Sequence, residues 1–96
     1  MQKVIIHDIA KMSDHWYAVS FCGLERSQYA MNVFLAQQPK ESAYWDENGL
    51  HGKGAWIIHL DFFRRLTARF ENLERAIIIA ERVAALKQIN KLARRR

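Results

Sequence analysis

The residues with the greatest chemical potential are four histidines, His7, His15, His51 and His59, with Asp8, Asp61 and Cys22 nearby in sequence or type. Imidazole, carboxylate and thiolate are the donors of zinc and non-haem iron sites. No recognised metal-ligand spacing occurs among them. His7-Asp8 and His59-Leu60-Asp61 are short pairs that supply two donors where three or four are needed. Cys22 could act as a nucleophile beside one of the histidines, since such partners meet only in space. It also closes an apolar alternating stretch, where a cysteine serves as a small buried hydrophobe. Gly49, Gly52 and Gly54 match neither the phosphate loop nor the dinucleotide fingerprint. The carboxylates are scattered without an evident acid–base pair. The expectation is therefore a protein without catalytic residues, metal or cofactor.

Charge carries more information. Residues 1–60 hold five Lys/Arg against six Asp/Glu, a sum of −1, whereas residues 61–96 hold ten against four, a sum of +6. The whole excess of +5 thus lies in the last third. Arg64, Arg65, Arg69, Arg94, Arg95 and Arg96 are candidate contacts to phosphates or to an acidic surface, because guanidinium binds both anions bidentately. The plainer alternative is a solvated tail at 94–96 that complements a helix dipole, with Glu71 and Arg75 as an ordinary i,i+4 pair. No helix-turn-helix, zinc-finger or RNP-type signature is present.

Elements that could position these groups follow from periodicity. Lys3–Ile9 is rich in β-branched residues. In His15–Cys22, Tyr17, Val19 and Phe21 alternate with Ala18, Ser20 and Cys22, and Tyr29, Met31, Val33 and Leu35 repeat that phase. Residues 1–36 are therefore expected to form an antiparallel meander of three strands. Residues 37–54 hold the only proline, three of four glycines and Asn48-Gly49, and are expected to form an irregular loop that presents the aromatics Tyr44 and Trp45. Those aromatics could equally cap one end of the core, and residues 41–45 could pair with 51–60 across 46–49 as a hairpin. Residues 55–60 form a buried strand. Residues 61–70 fit either a strand, favoured for the second half, or a short helix with Phe63, Leu66, Phe70 and Leu73 as its stripe.

Asn72 is an N-cap candidate for a long helix at 73–93. Its core stripe is Leu73, Ala76, Ile77, Ala80, Val83 and Ala84. Ile78, Ile79, Val83, Leu86 and Ile89 widen the apolar surface beyond what one small sheet covers, and charged residues recur beside them every seven positions. Those five residues form a candidate seam for a partner or for a second copy of the chain in a two-fold homodimer; the alternative is that another segment of the chain folds over them.

At 96 residues the chain is one domain, and the expected architecture is α+β: an antiparallel sheet of four to five strands over residues 3–70, packed by one long C-terminal helix. One cysteine and no export signal point to the cytoplasm, and the longest apolar run, Ala76–Ala80, is far too short to span a membrane. The functional expectation is a small non-enzymatic binding protein, an inhibitor, adaptor or accessory subunit, that engages an acidic partner through its basic, apolar-rich C-terminal third. The alternative is a nucleic-acid-binding regulatory protein that uses the same arginines as phosphate contacts.

Overall fold

A computed structural model describes residues 2–3, 5–22 and 25–93. The candidate contacts Arg94, Arg95 and Arg96 lie outside the described residues, as does the side chain of Cys22. The elements in chain order are β1 (Gln2–Lys3), β2 (Ile5–Lys11), β3 (Trp16–Cys22), α1 (Glu25–Ala36), β4 (Ala43–Leu50), β5 (Lys53–His59), α2 (Leu60–Thr67), β6 (Phe70–Glu71) and α3 (Leu73–Ala93). Four strands make one antiparallel sheet in the order β2-β3-β5-β4, and β1 pairs with β6 in a small parallel ribbon. The α+β class and the long C-terminal helix are as the sequence implies.

Two local expectations are corrected and one open choice is decided. The third strand of the 1–36 meander is the helix α1. Residues four apart share a face both in a strand and in a helix, so Met31 and Leu35 are buried either way. The helix turns Tyr29 and Val33 outward instead of inward. Residues 37–54 are not a loop throughout, because 43–50 form β4 and pair with β5 as a hairpin. The hairpin turn is His51-Gly52, both at positive φ (51° and 75°), as a two-residue turn of this handedness requires. Asn48-Gly49 instead takes up a bulge between Asp46 and Leu50, where Asp46 Oδ1 accepts the Asn48 N–H at 2.9 Å. Gly49 is needed there, since a Cβ would lie 2.8 Å from that of Ala55. Of the two readings of 61–70 the short helix holds, over residues 60–67. His59 Nδ1 accepts the Asp61 N–H at the start of α2, Phe63 and Leu66 are buried, and only Phe70–Glu71 is extended.

Each face of the sheet carries a buried cluster. Tyr17, Val19, Phe21, Trp56 and Ile58 meet Met31, Leu35, Phe63, Leu66, Leu73 and Ala80 on the helical side. Ala18, Ala55, Ile57 and Leu50 cluster on the other, with Ala10 and Trp16 against them. That second cluster exists because the β4–β5 hairpin curls back across the sheet. His51, at its tip, comes within 3.6 Å of Asp8 on β2, although β4 and β2 are opposite edges.

β2 and α3 run the same way. Gln2 and Lys3 sit beside Phe70 and Glu71 at one end, and Lys11 Nζ reaches Glu81 Oε2 at 2.9 Å further along. The Tyr17 hydroxyl donates to the other oxygen of Glu81, which ties β2, β3 and α3 together at one carboxylate. Asn72, at φ 73°, turns the chain into α3, and its carbonyl accepts the Ala76 N–H. Among the described residues no helix is long and apolar enough to cross a membrane.

Candidate functional site

The core stripe of α3 runs out before the helix does. Leu73, Ala76 and Ala80 are buried and Ile77 and Ala84 partly so, but every residue from Ala85 to Lys91 is exposed. A helix of 21 residues is about 31 Å long, and its last two turns bury no described residue in the core. Isolated helices shorter than about 12–15 residues are marginal in water, so the packed half must sustain this arm.

All five seam candidates are exposed: Ile78 by 46%, Ile79 by 47%, Val83 by 45%, Leu86 by 59% and Ile89 by 60%. They do not form one face. At roughly 100° per residue, Ile79, Val83 and Leu86 fall in one row and Ile78 and Ile89 in a second, roughly a quarter-turn further around. Arg75 and Arg82 lie between the rows, and Lys87 flanks the first row on its other side. The first row leads into a cleft. Ile79 and Val83 face the outer strand β2 across a cavity of about 600 Å³ whose boundary also includes Ile5–Ala10, His51, Arg75 and Lys87. Exposed aliphatic side chains beside a cavity of this size are what a docking site presents, since scattered exposed hydrophobics do not line concave surfaces.

Arg64, Arg65 and Arg69 do not gather into one surface. Arg64 lies where its charge is felt by Tyr17 and Glu81, while Arg69 places its guanidinium over the Phe34 ring of α1, 5.9 Å from the centroid. Arg65 is exposed. Tyr44 and Trp45 stand on β4, not on a loop, and neighbouring strand residues point to opposite faces. Tyr44 packs on Trp16 (5.6 Å) and Trp45 on Trp56 (5.4 Å), with the Trp45 indole over Gly54, where a Cβ would come within 2.1 Å of the ring. The Trp56 indole N–H donates to Asn32 of α1 at 2.9 Å, which fixes the helix over this corner.

His15 and His59 stack at 5.9 Å and Asp61 lies 3.8 Å from His59 Nδ1, whereas His7 and His51 sit at the β2 edge. Among the described residues no group of three or more His, Cys, Asp or Glu side chains is placed to hold a metal ion. At the carboxylate shared by Tyr17 and Lys11, the Tyr17 hydroxyl and then the Lys11 ammonium hold Glu81 below the usual carboxylate range. Burial first, and the bond to Glu81 second, push the Tyr17 phenol well above its ordinary value.

The sequence weighs Asp8 and His51 as metal donors and Ile5 and Ile9 as strand residues, and nothing in it places the four at one cleft. A signal for β2 was available, because the first strand of a meander has one sequence neighbour and so tends to end a sheet. The approach of His51 depends on the curl of the hairpin and has no local signature. Comparison with protein-family models, with curated proteins and with solved structures finds no match for this chain.

Proposed function

We propose that this chain is a non-enzymatic binding protein that engages an acidic partner through α3, with Ile79, Val83 and Leu86 as the apolar centre and Arg75, Arg82 and Lys87 as the cationic rim. The observation that carries this reading is a helix whose C-terminal half is largely exposed while still bearing large aliphatic residues. Burial of an aliphatic side chain is worth about 1.5–3 kcal/mol, so a partner that covered three of them would gain a substantial driving force. The rim then selects the sign of that partner. Charges at an interface edge act mainly on association rate and on discrimination against wrong partners.

The same rim weighs against a parallel pair of copies. If Val83 and Leu86 occupied the seam of a two-stranded coil, Arg82 would face Lys87 of the second copy, a like-charge contact that is destabilising. The nucleic-acid reading has less support, because Arg64 and Arg69 attend to different neighbours.

The test is retention on immobilised amphipathic peptides of equal apolar content in acidic, neutral and basic sets, with a mixed oligonucleotide as a further arm. Retention by the acidic set, weakening as salt rises and lost in Ile79→Gln/Leu86→Gln, is expected. Equal retention by all sets, or binding of the oligonucleotide alone, would overturn the reading.

A further inference from the structure

Among the described residues β2 ends the sheet on its side, and an edge strand presents backbone N–H and C=O groups away from its neighbour. On this strand the Ile9 N–H donates to the carboxylate of Asp8 (Oδ1, 2.9 Å), so a side chain holds that donor. The cleft lies along this edge, with Ile79 and Val83 as one wall and His51 as the other.

The dimensions fit an extended chain. Ile5–Ala10, which line the cleft, span about 17 Å at 3.3 Å per residue. Arg75 and Lys87, also in the lining, are twelve positions apart on a helix that runs alongside, or about 18 Å. A strand of about six residues laid against β2 would therefore have a cation near each end. Side chains alternate along a strand, so one set would meet Ile79 and Val83 while the other faced His51. Among the described residues of the lining Asp8 is the one carboxylate, against the two cations Arg75 and Lys87, which gives that lining a cationic balance.

We propose that the cleft between β2 and α3 receives an extended acidic peptide with apolar residues at alternate positions, which joins the sheet as a strand beside β2. This mode uses the main chain for affinity and the alternating pockets for selectivity. It rests on the reading of α3 as the docking face for an acidic partner and narrows it to one conformation of the occupant. A second copy of β2 fits less well, because it would bring the two cationic helices together.

The test uses the full chain and synthetic peptides with glutamates at both ends and alternating valine and threonine between them. Parallel sets carry N-methyl groups on alternate amides, or are acidic amphipathic helix formers, and a mixed oligonucleotide completes the series. Binding of the extended set, at least tenfold weaker after N-methylation and in Ile79→Gln/Val83→Gln, is expected. At saturation, β2 amides that exchange freely in the unbound chain should exchange at least tenfold more slowly by NMR. Both substitutions are at exposed positions, and thermal unfolding verifies that the variants are folded. Equal binding of N-methylated peptides, or binding of the helical acidic set alone, overturns strand addition and leaves the acidic-partner reading standing. Binding of the oligonucleotide with no acidic peptide bound overturns both.

Discussion

Tyr17→Phe removes one hydroxyl from the centre of the fold and leaves the ring edge-on to Phe63 at 5.8 Å, so no cavity opens. The lost bond is the one Tyr17 donates to Glu81, which also accepts from Lys11. Hydrogen bonds to charged groups contribute about 1.5–3 kcal/mol net. The Glu81 side chain is 43% exposed, so water and Lys11 take over part of the role, and about 1 kcal/mol remains at neutral pH. In a domain of this size that lowers Tm by about 4–8 °C. The pH dependence is more specific. Glu81 titrates below the usual carboxylate range in the fold, so its contribution is present above the unfolded value of 4.5 and is lost as pH falls through the folded value. The Tyr17 phenol is raised, so its contribution is present below the unfolded value of 10.0 and is lost as pH rises. The variant lacks the hydroxyl behind both effects, so its stability deficit should shrink toward acid and toward alkali. Urea unfolding followed by circular dichroism across that range measures the gap. A deficit independent of pH, or none at neutral pH, would refute the role assigned to this carboxylate.

Other outcomes follow from the same geometry. Leu73→Ala, at a fully buried position, should cost about 2–5 kcal/mol, whereas Leu86→Gln on the exposed arm should change stability by no more than about 0.5 kcal/mol in denaturant titrations. Gly54→Ala should push the Trp45 indole off the sheet, seen as loss of the near-UV signal of the Trp45–Trp56 pair and about 1–3 kcal/mol of destabilisation. Asp8→Ala uncovers the Ile9 N–H and removes the carboxylate from the cleft, so acidic extended peptides should bind roughly three- to tenfold tighter by fluorescence polarisation.

What could be read from the sequence was what depends on local spacing. The alternation of Tyr17, Val19 and Phe21 is a strand pattern only, and the stripe Leu73, Ala76 and Ala80 is a helix pattern only. The 29–36 segment failed as a strand because its main apolar pair, Met31 and Leu35, is compatible with both periods. The hairpin turn was misplaced because Asn48-Gly49, a strong turn pair, serves a bulge, while His51 accepts the strained conformation that the turn needs. The α3 surface was legible for a related reason: helical spacing fixes which residues surplus to the core share a side. Its division into two rows by Arg75 and Arg82 follows from the same arithmetic. The cleft was not legible, since it depends on which strand ends the sheet and on a hairpin that curls over it.

The central claim, that cations beside the apolar row of α3 select an acidic partner, is tested most directly by reversing them. Arg75→Glu/Lys87→Glu changes two exposed side chains on α3. The measurement is the ratio of affinities for acidic and basic versions of one apolar-patterned peptide, taken at low salt. Wild type should favour the acidic version, and the variant, equally stable to thermal unfolding, should favour the basic one. An unchanged preference in a folded variant would contradict the claim.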